Sequence, residues 1–225
     1  MSEIRRAVNK RGQGSHLRRE ILDAAIELLG RSGTDDGVTL RAIARQAGIA
    51  APSIYPHFAD RDAVIDAVVA ESFAELLAAT HAAKASATSP AGRFRAICAG
   101  YVRFGRDQPG RYRILFEGSQ DGSSPSVARR RAADGGAAFA GLADALTECV
   151  ADGSSTSADP GRDSAALWVA LHGLVVLPRA HPAFAWPATE ELLDHIVTSV
   201  GRLTGRRASS PAPETVAWRS RFRST

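Results

Sequence analysis

Two cysteines, one methionine and three tryptophans are all that 225 residues contain of those types, and aromatics make up 6% of the chain. Cys98 and Cys149 lie far apart, each inside a helical pattern and without a partner at metal-ligand spacing. Both read as small buried hydrophobes in a reducing compartment rather than as a disulfide or a metal site. No apolar run reaches the length of about eighteen residues that a membrane helix needs. The N-terminal charges are not followed by an apolar stretch, so no signal peptide is expected and a cytoplasmic location is. Histidines stand scattered at positions 16, 57, 81, 172, 181 and 195, with no HExxH, GxSxG or Walker loop. "GQGS" at 12–15 is too short, and lacks the preceding strand, to cradle phosphate. Neither catalysis nor a cofactor is expected.

What is present favours helix. Ala is abundant while Val, Ile and aromatics are modest. With 44% apolar and 23% charged residues, the composition is that of a globular protein able to bury a sizeable core. The net charge is +4, unevenly placed: +5 in residues 1–19 and +4 in residues 206–225, which leaves −5 for the body. Basic tails of this kind suit a polyanion, and they also serve as plain solubilising arms.

Residues 1–15 read as a flexible basic arm, with Arg5, Arg6, Lys10 and Arg11 able to reach a minor groove or to stay unstructured. From His16 a stripe of Leu17, Ile21, Ala25, Leu28 and Leu29 marks an amphipathic helix that Gly33 would stop. Arg18 and Arg19 fit a solvent face and a DNA-facing role equally. Asp60 can cap a long helix through Val64, Ile65, Val68, Val69, Phe73 and Leu76 to about Leu77. "HAAKASATSPAG" then reads as a connection between domains. Further helices are expected up to Pro109, over "GRYRILFEG", from about Ser126 to Ala151, over "SAALWVALHGLVVLPRA", and from a Thr189 cap to Gly205. "DGSSTSADPGRD" reads as a polar loop, and residues 206–225 as a disordered basic tail. The class is all-α, with a first domain at 16–77 and a second at 90–205.

The most informative stretch is "TLRAIARQAGIAAPSIYPHF", Thr39 to Phe58. Thr39 is a good N-cap, and Leu40, Ile43, Ala44 and Ala47 share one helical face, with Arg41, Arg45 and Gln46 off it. Gly48 ends that helix in a conformation Gly adopts cheaply. Pro52 suits the first turn of a second helix, whose buried side is Ile54 and Phe58. Ala50, Ala51, Ser53, Tyr55 and His57 are left outside. Helix, Gly turn and helix in this order make a helix-turn-helix, whose second helix enters the major groove of DNA. Pro56 makes that second helix short, tight or kinked, because a proline clashes with the carbonyl four residues back. Taken singly, Tyr55 also reads as a core residue with a wet hydroxyl, and His57 as a surface polar group.

With "IARQAG", the Tyr55-x-His57-Phe58 group and basic Arg61 at the next helix start, the stretch resembles the DNA-binding domain of TetR-family transcriptional regulators over residues 17–77. The resemblance implies a homodimer on a palindromic operator in double-stranded DNA, more often a repressor than an activator. It also implies phosphate contacts from Thr39, Tyr55, His57 and Arg61, and base-facing positions at Ala50, Ala51 and Ser53. Arg41 joins this surface. The family usually has Lys where Arg61 stands; Arg keeps the charge.

The second half, through "VRFGRDQPGRYRILFEG" and "LWVALHGLVVLP", resembles the TetR C-terminal domain variety named for Trp, His and Gly, here Trp168, His172 and Gly173. The resemblance implies effector binding and dimerisation. Phe94, Tyr101, Phe104, Tyr112, Phe116, Phe139 and Trp168 are candidates to line an apolar effector cavity, with Tyr101, Tyr112 and His172 as polar handles; each alone also reads as ordinary core. The helix at 165–177, apolar nearly all round, and the stripe Leu192, Leu193, Ile196, Val197, Val200 and Leu203 are candidates for a two-fold four-helix interface. Leu174, Leu177, Leu193, Ile196 and Val200 would carry it. The rival readings are an effector-blind architectural DNA binder and a small-molecule-binding module without an operator.

Overall fold

A computed structural model describes residues 14–32, 38–116 and 125–204. The basic arm, Gly33 and the C-terminal tail lie outside the described residues, apart from the last positions of the arm. Eight α-helices account for most of the rest: α1 Gly14–Ser32, α2 Leu40–Ala47, α3 Arg61–Ala85, α4 Pro90–Asp107, α5 Pro109–Phe116, α6 Pro125–Ala151, α7 Pro160–Ala180 and α8 Thr189–Val200. Among the described residues the extended pairing is one isolated bridge between Ser155 and Leu203. The fold is all-α, as the composition and periodicity indicate. Among the described residues no helix is long and apolar enough to cross a membrane.

The chain forms two compact units. The first takes the residues up to Leu76 together with Asp107–Gly136, so α5 and the start of α6 return to it late in the sequence; the second takes Leu77–Arg106 and the residues from Ala137 onward. In the first unit Ile21, Ala25 and Leu29 of α1 are buried, together with Ile43, Ala44, Ile54, Phe58, Val64, Ile65, Val68, Val69 and Phe73. These are the stripe positions of each helix, meeting as one core.

Helix α5 is fastened to that core by three devices. Gly30 of α1 and Gly110 of α5 touch backbone to backbone: a Cβ added at Gly30 would lie 2.8 Å from the Gly110 Cα. Arg113 Nη1 donates to the Gly30 carbonyl at 2.7 Å, satisfying an acceptor in the last turn of α1. Arg111 Nη2 lies 3.0 Å from Glu71 and 3.0 Å from Glu75, one turn apart on α3, and Arg19 of α1 shares Glu71 at 3.3 Å. Behind them Tyr112 packs on Phe116 at 4.8 Å, and Phe116 meets Phe73 edge-on at 6.1 Å.

The second unit is built from α4, α7, α8 and the parts of α3 and α6 assigned to it. Phe94, Cys98, Phe104, Leu146, Cys149, Leu167, Leu171 and Val175 are buried there. Burial pushes the Cys98 thiol well above its ordinary range, so it stays protonated and inert. Glu148 on α6 receives Arg93 of α4 at 3.1 Å and Lys84 of α3 at 3.4 Å. These two cations, with the Arg93 hydrogen bond first, hold its carboxyl below the usual carboxylate range.

Several boundaries differ from the sequence expectation. Helix α3 runs to Ala85 instead of about Leu77, because the five alanines and the lysine of "AATHAAKA" at 78–85 outweigh its Thr and His in helix propensity; the connection shrinks to the few residues before Pro90, and Ser89 caps α4 through Gly92 N at 3.1 Å. Thr189 opens α8 rather than capping it; the cap position is Ala188, with no side-chain bond. The last helix stops at Val200, not Gly205, and Leu203 leaves the helical stripe. The polar loop expected over 152–163 is shorter, since Asp159 caps α7 and Pro160 opens it, and the remaining residues pair with the chain end: Ser155 Oγ donates to the Gly201 carbonyl at 2.7 Å, Thr156 N to Arg202 O at 3.0 Å, and Thr204 N to Ser154 O at 2.9 Å. Ser155 and Ser157 are buried in this latch.

Candidate nucleic-acid interface

Thr39 sits in extended backbone ahead of α2, and its Oγ1 accepts from Ala42 N at 3.2 Å. Ile43 and Ala44 are buried beneath, and Arg41, Arg45 and Gln46 are exposed. Gly48 ends the helix at φ 68°, the left-handed region, with Ile49 N bonding back to the Ala44 carbonyl at 3.0 Å. This is the Gly-terminated Schellman stop that "QAGI" encodes.

The second element is smaller than a helix. Ala51–Ser53 form one 3₁₀ turn, with Pro52 in its first positions, and residues 54–57 continue as turns. Ser53 N bonds Ala50 O at 2.9 Å, Ile54 N bonds Ala51 O at 3.1 Å, and Phe58 N bonds Ile54 O at 3.0 Å. Pro56 has no N–H to give and would crowd the Pro52 carbonyl in a regular helix, so the chain takes the tight form. Ile54 and Phe58 are buried and pin the turn to the core. That burial leaves Tyr55 60% exposed, which rules out its core reading. Ala50 is exposed, and Ala51, Ser53 and His57 are half-buried at the same surface.

Arg61 is held inward. Its Nε donates to the Val38 carbonyl at 2.6 Å, and Nη1 meets Asp62 at 3.2 Å. Val38 is buried and immediately precedes Thr39, so this guanidinium fixes the entry to α2. Asp60 caps α3 through Ala63 N at 2.8 Å, as the sequence suggests. A role missed in the sequence belongs to Gln46, which donates to Glu27 at 2.7 Å and accepts from Arg31 at 3.0 Å, tying α2 to α1. Only the i, i+4 spacing of Glu27 and Arg31 hinted at it.

The aromatic candidates divide between the two units. Tyr112 and Phe116 stack in the first. In the second, Phe94 and Phe104 are buried, while Trp168 Nε1 donates to Tyr101 Oη at 3.1 Å and Trp168 lies edge-on to Phe139 at 6.4 Å. His172 is half-buried one turn beyond Trp168. Of the interface candidates, Leu174 is buried in its own unit, Leu177 is 44% exposed, and Leu193, Ile196 and Val200 are half-buried. Val169, 69% exposed, shares the outward side of α7.

Two family profiles match the chain: residues 21–68 match the one described as bacterial regulatory proteins, tetR family, and residues 94–200 the tetracyclin repressor-like C-terminal domain. The tetracycline repressor protein class D of Escherichia coli is 40% identical over 57 residues, which is 25% of this chain and 26% of that protein. The chain therefore matches only about a quarter of that curated relative's length. Among solved structures, a protein of unknown function from Rhodococcus sp. RHA1 aligns with TM-score 0.68 at 24% identity, over 90% of this chain and 100% of that one. The fatty acid degradation regulator FadR from Bacillus halodurans aligns with TM-score 0.68 at 15% identity, over 89% and 99%. The fold and the helix-turn-helix define a two-domain helical regulator class. The chain belongs to the TetR family.

Proposed function

We propose that this protein is a homodimeric repressor that binds a palindromic operator and is released by a small apolar or amphipathic effector. The observation that carries the reading is the surface at the helix-turn-helix: Tyr55 stands out from a turn whose own apolar residues are buried, beside Ala50, Ser53, His57 and the Thr39 cap. Hydroxyls and an imidazole at such a rim hold phosphates and set register, while small side chains let the turn approach base edges. Arg41 reaches from the same helix that Thr39 caps.

A single turn of this size reads few bases, and two copies about 34–36 Å apart read a palindrome. The outward side of α7, with Val169 and Leu177, and the half-buried Leu193, Ile196 and Val200 of α8 support pairing with a second copy. Tyr101, Trp168 and Phe139, with His172 close by, support an effector site with an apolar body and polar handles. Coupling of about 1–3 kcal/mol per effector would change operator affinity roughly 5–150-fold. The first test is Tyr55→Ala on a duplex carrying the upstream region of the protein's own gene. Gel-shift affinity falls at least about tenfold with an unchanged circular dichroism spectrum; undiminished affinity removes Tyr55 from the interface.

A further inference from the structure

The arginines of the first unit differ sharply in what surrounds them. Arg19 pairs with Glu71, Arg31 with Glu27 and Gln46, Arg111 with Glu71 and Glu75, and Arg130 with Asp66. Arg61 and Arg113 bond main-chain carbonyls. Arg18, Arg41, Arg45 and Arg129 are exposed and meet no carboxylate among the described residues. Of these, Arg41 and Arg45 lie on the first helix of the helix-turn-helix and Arg18 on α1 beside its turn, whereas Arg129 lies on α6. Arg41 and Arg45 are one turn apart on the outer face of α2, a helix with no acidic residue. Arg18 of α1 lies with its guanidinium carbon 4.9 Å from the centroid of the Phe58 ring. Phe58 directly follows His57, so this cation is held beside the turn that presents Tyr55 and His57.

We propose that Arg18 and Arg45 are phosphate-binding residues that extend the grip on the DNA backbone to either side of the turn. The proposal rests on the DNA-binding reading above and adds two contacts to it. The physical case is one of selection between uses. A guanidinium that stabilises the fold is matched by a carboxylate or carbonyl of the same chain, whereas one kept for an external anion is held in place and left electrostatically unmatched. Arg18 meets both conditions through the aromatic face beneath it, which orders the side chain without neutralising it. Arg45 meets the second, and its register with Arg41 places two positive charges along one helix face. The recognition turn is only three residues of 3₁₀ helix followed by turns, so it offers little contact area of its own. A phosphate grip spread over α1 and α2 compensates for that small area.

The test uses the full-length protein and a random-sequence duplex of about 30 base pairs, because non-specific binding reports phosphate contacts without a known operator. Affinity is measured by fluorescence anisotropy from low to moderate KCl, and log K is plotted against log salt. Each phosphate contact contributes close to −0.9 to the slope. Arg18→Gln and Arg45→Gln should each flatten the slope by about one per bound subunit, and Arg45→Lys should restore it. Arg31→Gln, whose partner is Glu27, and Arg129→Gln, an equally exposed arginine on α6 outside the helix-turn-helix, should leave it unchanged. Thermal unfolding of every variant separates a lost contact from a lost fold. A wild-type protein that binds and variants with its slope overturn this inference alone. A wild-type protein that ignores the duplex at low salt overturns the DNA-binding reading itself.

Discussion

Arg61 shows how one side chain can serve the interface from behind. Its position at the head of α3 suggested a phosphate contact, yet its Nε is spent on the Val38 carbonyl at 2.6 Å, which fixes the residue before the Thr39 cap. That bond gives Arg61 a part in stability and in the placement of α2, alongside the phosphate contact that the resemblance implies. Arg61→Gln should lower unfolding stability by about 1–2 kcal/mol in urea titrations, since it strips a charge-assisted bond from a buried carbonyl. A variant as stable as the wild type would return Arg61 to a purely external role. Glu148 makes a contrasting case. Its carboxyl is held below the ordinary value by Arg93 and Lys84. A depressed folded-state pKa contributes stability above the unfolded value near 4.5 and loses it as pH falls through the lower folded value. Glu148→Gln should thus lower the melting temperature slightly at neutral pH, and the gap should close in acid. The effect stays small because the pair is partly exposed. A gap that widens in acid would contradict the assignment.

At the scale of elements, local chemistry was readable at most points where the signal sat within a few residues, the Thr189 cap being an exception. The Thr39 cap, the Gly48 stop, the Asp60 cap and the buried pair Ile54 and Phe58 all follow from spacing. So does the tightness forced by Pro56, although a single 3₁₀ turn is one of several short forms that the proline allows. What the sequence concealed was contact between distant segments. Nothing in "PGRYRILF" announces that Gly110 packs on Gly30, or that Arg111 and Arg113 fasten α5 to α3 and α1. The latch of Ser155 with Gly201 is similar: a Ser-rich run carries the signature of a solvated loop, and only the returning chain end turns it into a partner. The glycine contact gives a sharp prediction. Gly30→Ala should cost about 1–3 kcal/mol, because its Cβ would meet Gly110 backbone at 2.8 Å and neither helix has a flexible atom to yield. Gly136→Ala, where nothing lies within 4 Å, should stabilise by about 0.5–1 kcal/mol. Equal responses in denaturant titrations would remove the special role of the α1–α5 contact.

At the scale of the whole molecule, the proposed reading of a palindrome needs two copies of the chain. Exposed Val169 and Leu177 on α7 present apolar area that a lone chain leaves in water. Val169→Glu combined with Leu177→Glu should shift sedimentation from dimer to monomer while leaving helical content intact; a dimer that persists would place the interface elsewhere. The split of the aromatic candidates between the two units was not legible beforehand, since periodicity marks which residues are buried and not what they are buried against. The return of α5 and the start of α6 to the first unit was hidden for the same reason. Selection from a pool of randomised duplexes with the purified full-length protein tests the central claim most directly. The account predicts enrichment of inverted repeats whose half-site centres lie about one helical turn, roughly 10 base pairs, apart. A pool that remains random after repeated rounds in low salt would contradict it.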